Sequence, residues 1–276
     1  MPIRIWAVSG SDLTVHQRFK QTIAPHAKRV CREDTQVDAH GLWPGVYPPG
    51  GDATEVCLKY PLTHQLIAFH IVENAIRAER EGYDAMVCTS FMDHGCELAR
   101  SAVDIPVVGL GSSTLLVAST IASAFGLISH DPLQAHIVRN MAQHHGLDKR
   151  IRMLAALDPA ISSEDLDAGM SGNPVLHERF RERALPFIKA GCDLLIPSEG
   201  FMSSALYLSG VHEVEGVPVF DCLGAAFAFA EMMVQLRRHA GLRISRRGDY
   251  ARPPKAVLDH VLGITTEVLR AAQATK

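Results

Sequence analysis

The sequence predicts an α/β protein built as two pseudo-symmetric, Rossmann-like halves, each a three-layer unit around a parallel sheet, with the site between them. Three observations predict it. Short apolar runs alternate with amphipathic helical stretches along the chain, the pattern of parallel sheets with helices on both faces. A passage also occurs twice. One copy reads Tyr83-Asp84-Ala85-Met86-Val87-Cys88-Thr89-Ser90-Phe91-Met92 and the other Cys192-Asp193-Leu194-Leu195-Ile196-Pro197-Ser198-Glu199-Gly200-Phe201-Met202. In each, a glycine lies just upstream, an Asp opens the run, and the sixth residue after that Asp is polar: Ser90 or Glu199. Each copy then continues through a helical stretch into a second apolar strand, Asp104-Ile105-Pro106-Val107-Val108 or Gly216-Val217-Pro218-Val219-Phe220. Matching strand ends would put Ser90 and Glu199 across one cleft, where open α/β sheets bind ligands.

The elements follow in order. Residues 3–8 form an apolar strand ending in Ser9-Gly10-Ser11-Asp12, and a helix is expected over 13–24. Residues 40–54 hold three prolines and four glycines, which exclude a helix there. A loop that long is either a lid over a site or a surface excursion. Residues 61–81 have helical spacing, with Leu66, Phe69, Ile71, Val72, Ala75 and Ile76 toward the core. Strand 84–89, helix 93–102 and strand 105–110 complete the first unit, and helix 113–124 leads out of it. A new first strand, 125–129, ends in Ser129-His130-Asp131. Helix 132–145, strand 151–156, a loop over 158–174 and helix 175–190 come next. Strand 193–197, a helix near 202–209 and strand 217–220 close the second unit. Helices 223–240 and 254–273 are expected to pack back on the first sheet. The halves are therefore 1–110 with 221–276, and 111–220.

Composition narrows the function. The chain has 276 residues, 47% hydrophobic and 21% charged, with a net charge of -3. This is a globular balance and gives no global attraction for nucleic acid or anionic membrane. Seven Lys/Arg gather between Arg237 and Lys255, read as a solvated loop. No apolar stretch is long enough to span a membrane, and no secretory signal is visible. The six cysteines contain no C-x-x-C and several lie in apolar runs, so a reducing cytoplasm is expected.

The candidate site residues lie at strand ends. Glu199 is a competent acid/base, more so if burial raises its pKa from about 4.3; it is equally placed to be a first-turn carboxylate of a helix. Ser90 is a ligand contact, a nucleophile or a helix cap. Cys88, two residues earlier, is its alternative at the same position. His94, four residues after Ser90, is a proton relay or a surface histidine. Thr89, Ser112, Ser113 and Thr114 offer hydroxyls and N–H groups at strand-to-helix turns, good cradles for a carboxylate. Phe91, Gly200 and Phe201 flank Ser90 and Glu199 as ligand contacts. Gly109-Leu110-Gly111 is no dinucleotide fingerprint, lacking the third glycine. Fourteen histidines include no spaced pair with an adjoining carboxylate, so no metal is expected.

At this point the chain resembles the aspartate/glutamate/hydantoin racemase superfamily. The carrying residues are Gly82 through Val87 to Asp93, then Asp104 to Gly109; and Gly191-Cys192-Asp193 through Gly200, then Gly216 to Asp221. The small, apolar stretch 223–233 is also similar, and Ser90-Phe91-Met92-Asp93 points to the hydantoin-racemase branch. The resemblance covers nearly the whole length. It implies a cofactor-independent enzyme, with two cysteines working on opposite faces of a carbon next to a carboxyl or carbonyl. It implies that the turns carrying Ser9, Ser11 and Asp12, and Ser129 and His130, hold the substrate carboxyl, with a contact from each turn.

The strand spacing puts Ser90 at the first cysteine position and Glu199 at the second, and neither is a thiol. Cys192 starts its strand at the far end and Cys222 follows the next strand, so neither replaces the second thiol. A serine hydroxyl is a weak acid and base unless a neighbour activates it. One good proton-transfer group on one side fits one-sided chemistry, for which a decarboxylase branch of the superfamily is a precedent. The first expectation is therefore proton transfer next to a carbonyl of a small carboxylate or cyclic amide, of isomerase or lyase type, with Glu199 as acid/base. The second is a hydrolase with Glu199 activating water; the third is a non-catalytic binder of small carboxylates. No cofactor, nucleic acid or membrane partner is expected, and a homo-oligomer is.

Overall fold

The computed structural model describes residues 1–170, 172, 174–261, 263 and 264. The first sheet has four parallel strands in the order β2 (Gln36–His40), β1 (Arg4–Val8), β3 (Ala85–Cys88), β4 (Val107–Gly109). The second has three parallel strands in the order β6 (Ile151–Ala156), β5 (Phe125–Ser129), β7 (Leu194–Pro197). Central strands β1, β3, β5 and β7 are almost wholly buried, as unbroken apolar runs in a doubly covered parallel sheet should be.

Alternation along the strands builds the layers. Trp6, Val8, Met86 and Cys88 pack with α2 (Pro61–Arg80) and α3 (Cys96–Ala102) on one face. Ile5, Ala7, Ala85 and Val87 pack with α1 (Gln17–Ala27) and α9 (Cys222–Ala240) on the other. The latter core runs on through α4 (Leu110–Ala118) into Phe125, Leu127 and Ile196 of the second sheet, so both halves share it. The second sheet carries α5 (Pro132–His144), α7 (Pro174–Lys189) and α8 (Gly200–Leu208), and α6 (Ser163–Gly169) packs on α8 and α1.

Hydrogen bonds explain the sequence repeat. The Asp84 N–H donates to the Arg4 carbonyl while its Oδ2 accepts from the Arg4 N–H, at 2.8 and 2.9 Å. Asp193 does the same to Ala124, at 2.9 and 2.8 Å. The repeated Asp therefore staples the first strand of each half at its N-terminal end. At the other end the Thr89 N–H reaches the Val8 carbonyl and the Ser198 N–H reaches that of Ile128, both at 2.8 Å. Ser90 and Glu199 each come one residue later, so they are structurally equivalent positions.

Several expectations are corrected. Helix α1 begins at Gln17, because Asp12 first closes a turn with the N–H groups of Thr14, Val15 and His16. Strand β2 was not anticipated; its Gln36, Asp38 and His40 lack an apolar signal because it is an edge strand. The expected loop 158–174 contains α6, capped by Ser162 on the Asp165 N–H. On α2 the buried stripe runs through Ile67, Ile71, Ala75 and Ala78, leaving Leu66 and Phe69 exposed on its flank. Segment 217–220 is mostly not a parallel strand. Val217–Pro218 (β9) pairs antiparallel with Glu213–Val214 (β8), and only Val219 bridges to Leu195; Pro218 has no N–H to extend a ladder.

The arginines after 237 are not simply solvated. Arg238 pairs with Asp84, Arg246 caps the Arg100 and Val103 carbonyls, and Arg252 spans Glu79 and Asp104. They clamp the chain across the lower edge of the first sheet. Helix 223–240 does pack on that sheet. The expected helix 254–273 lies outside the described residues beyond 264, and its described part is mostly exposed.

Candidate active site

The C-terminal ends of β1, β3, β5 and β7 converge on one cleft. The turn after β1 contributes Ser9, Gly10 and Ser11; the turn after β3 contributes Thr89, Ser90 and Met92. The second half contributes His130 and Gln134, Ser163 from α6, and Glu199 with Phe201. Ala53, Thr54, Cys57 and Leu58 line the remaining side, so the end of the proline- and glycine-rich excursion borders the cleft. Among the described residues no lysine or arginine lines it.

The excursion is held down by identifiable bonds. Asp12 accepts from the Gly45 N–H at 2.8 Å, and the Asp12 N–H donates to the Tyr47 hydroxyl at 3.0 Å. The Cys57 thiol donates to the Gly10 carbonyl at 3.3 Å. A one-turn π-helix, Glu55–Lys59, then feeds into α2.

Glu199 is the N-cap of α8. Its Oε2 accepts from the Met202 N–H at 2.7 Å, so the first-turn reading and the cleft position both hold. Burial raises its pKa, and His130 together with the N–H groups of Met202, Phe201 and Gly200 pulls the other way. His130 Nδ1 lies 2.7 Å from Gln134 Oε1, while its Nε2 is buried without a hydrogen-bond partner among the described residues.

Ser90 Oγ lies 3.0 Å from His94 Nδ1, and His94 Nε2 lies 3.1 Å from His64 Nδ1. His94 is 2% exposed, which overturns the surface-histidine alternative. It precedes α3, whose N-cap is Gly95. Burial, and secondly His64, lower its pKa to about 3. The helix-cap reading of Ser90 falls with the same contact.

Nine candidates stand apart from the cleft lining; of these the Ser112 N–H is spent on Asp93 Oδ2, the Ser113 hydroxyl donates to the Gly109 carbonyl, and Thr114 is buried in α4. Cys88 faces the other way, in the α2 and α3 core beside Cys96; β3 stops at Cys88, so strand alternation does not carry through to Ser90. Asp12 is a loop anchor: it accepts from Thr14 and Gly45. Burial raises its pKa, but those bonds outweigh burial and the net shift is downward. Phe91 is buried in the shared core. Ser129 is spent on Ser198, Oγ to Oγ at 2.7 Å, tying β5 to β7. Gly200 supplies backbone only, and His94 stands behind Ser90. Thr54, Cys57, Met92, Gln134 and Ser163 also line the cleft, beyond the residues the sequence points to. The α6 residue had no local signal, but Gln134 one turn after His130 was findable from helical spacing. Among the described residues no group of three or more His, Cys, Asp or Glu could hold a metal, and no helix is long and apolar enough to cross a membrane.

Two parallel-sheet halves meeting at a cleft define the class of two-domain racemase folds. The chain belongs to the Asp/Glu/hydantoin racemase family, whose model matches residues 55–230. It is 28% identical to the hydantoin racemase of Pseudomonas sp. (strain NS671) over 229 residues, 83% of this chain and 84% of that one. It is 26% identical to the hydantoin racemase of Paenarthrobacter aurescens over 237 residues, 84% and 91% of the two chains. The fold matches allantoin racemase from Klebsiella pneumoniae with a TM-score of 0.73 at 24% identity, covering 92% of this chain and 94% of that one.

Proposed function

We propose that this chain moves a proton at a carbon next to a carbonyl of a small carboxylate or cyclic amide, without a cofactor, and that Glu199 is its acid/base. One observation carries the reading: a carboxyl with a raised pKa lies in the same cleft as Ser90, at the equivalent strand end. Such a group exchanges protons closer to neutral pH than an ordinary glutamate. The halves 1–110 with 221–276, and 111–220, each supply one wall. The Ser9 and Ser11 hydroxyls and the Gly10 N–H hold the carboxylate or amide oxygens, the N–H groups of Ser9 and Ser11 being spent on the His40 carbonyl and Ser9 Oγ; Thr89, His130 and Phe201 bound the ligand.

In the forward step the Glu199 carboxylate takes the proton from carbon, and the electron pair moves onto the adjacent carbonyl oxygen. Return of a proton from Glu199 to the same face of that carbon completes exchange with retention, and delivery to another carbon of the planar intermediate isomerises the substrate; in decarboxylation the departing CO₂ leaves its electron pair on the carbon, and a protonated Glu199 supplies the proton. The test is incubation in D₂O with hydantoins, malonates and amino dicarboxylates, read by mass spectrometry. Solvent deuterium should appear at the carbon next to the carbonyl. Uptake of oxygen-18 from water without carbon exchange would replace the reading with hydrolysis.

A further inference from the structure

We infer that His64 and His94 are positioning residues that hold the Ser90 hydroxyl as a hydrogen-bond donor to a substrate oxygen, and that Ser90 is not a nucleophile. The inference deepens the proton-transfer reading above and rests on it.

The direction of each hydrogen bond follows from one end of the chain. His64 Nδ1 lies 2.9 Å from the Cys57 carbonyl oxygen. A carbonyl oxygen only accepts, so His64 Nδ1 carries a hydrogen. The same Nδ1 lies 3.1 Å from His94 Nε2. The one hydrogen on His64 Nδ1 is shared between the Cys57 carbonyl and His94 Nε2, a three-centre bond in which His94 Nε2 offers its lone pair. Burial keeps His94 neutral, and a neutral imidazole with a bare Nε2 has its hydrogen on Nδ1. His94 Nδ1 therefore donates to Ser90 Oγ, 3.0 Å away.

The consequence falls on Ser90. Its oxygen already accepts from His94, so its own hydrogen is free for the cleft it lines. A donor that itself accepts a hydrogen bond is polarised and strengthened. A nucleophilic serine needs the opposite arrangement, a basic nitrogen accepting from its hydroxyl. Here that nitrogen is already protonated.

The fold builds this relay. Gly95 has φ +63°, and a Cβ there would sit 2.1 Å from the Ala68 carbonyl oxygen. Only glycine lets the turn carrying His94 lie against α2, which carries His64. In the reaction, the electron pair released when Glu199 takes the carbon-bound proton moves to the carbonyl oxygen. Ser90 O–H meets the charge developing there, and no bond to Ser90 forms.

The test uses the full chain with ¹⁵N-labelled histidine and two-bond ¹H–¹⁵N correlation at neutral pH. His94, assigned by the signal lost in His94→Gln, should show the Nδ1–H tautomer. The Nε2–H tautomer would overturn the inference. This readout needs no substrate, so it separates failure of the relay from failure of the proton-transfer reading. With a substrate found by deuterium exchange, Ser90→Ala should lose roughly 10²-fold in kcat, and Ser90→Thr should retain most of it. His64→Phe should lower kcat toward that of Ser90→Ala and change the His94 signal. His64→Asn, whose Nδ2–H can replace Nδ1–H, should restore both. An acyl group trapped on Ser90, or full activity in Ser90→Ala, would overturn the donor role.

Discussion

The Thr89 carbonyl oxygen stands where a side chain on Gly200 would begin: a Cβ there would come within 2.5 Å of it. This contact brings together the end of β3, just before Ser90, and the start of α8, just after Glu199. Both partners are backbone on one side, so neither can rotate away.

From it we predict that Gly200→Ala is costly although helix propensity favours alanine. Relieving the clash must part the two strand ends. Overpacking of this kind costs about 1–3 kcal/mol, and kcat should fall with it. Denaturant unfolding and steady-state kinetics on the same preparation check this. Unchanged stability and turnover would show that the two halves adjust freely here.

We predict that Glu199→Gln folds normally and loses turnover. Glutamine keeps an oxygen for the Met202 N–H, so the cap on α8 survives. Proton exchange does not, and kcat should fall by roughly 10² to 10⁴. KM should change little, because other turns hold the ligand. Near-normal kcat would reduce Glu199 to a helix cap.

The raised pKa of Glu199 predicts the pH–rate profile. The carboxylate form removes the proton, so kcat/KM should rise with pH through an apparent pKa above the usual 4.5. The rise should vanish from the residual rate of Glu199→Gln. A profile flat down to pH 4 would contradict this assignment.

His94 predicts a pH dependence of stability. Its pKa is lowered from 6.5 to about 3 by burial and His64. Between those values the unfolded chain binds a proton that the folded chain does not. Stability is therefore fully present above pH 6.5 and falls as pH drops toward 3, by up to about 1.4 kcal/mol per pH unit. Urea unfolding at several pH values should show a shallower acid limb in His94→Gln than in the parent chain.

Thiol reagents should inactivate slowly. Cys57 borders the cleft, but burial and secondly Asp52 push its thiol up to about 12, and it is bonded to the Gly10 carbonyl. A neutral buried thiol reacts poorly. Iodoacetamide time courses with peptide mapping check this. Rapid, stoichiometric loss of activity traced to Cys88 would place Cys88, not Ser90, at the cleft.

The sequence by itself determined the α/β class, the two parallel sheets and the equivalence of Ser90 with Glu199. These rest on local signals: strand and helix periods, and an Asp that must staple each first strand. It also put Ser9, Ser11, Thr89, His130 and Phe201 at the right strand ends, since a parallel sheet gathers its strand ends at one edge. What it left open depended on how the chain closes. Which way Cys88 points was decided by where β3 stops, a matter of hydrogen bonding to β1 and β4. His64 meets His94 across 30 residues because α2 packs against the turn that Gly95 permits. Thr54, Cys57 and Ser163 reach the cleft from segments whose own sequence says only loop or short helix. Such contacts are fixed by packing between distant segments, and no local period reports them.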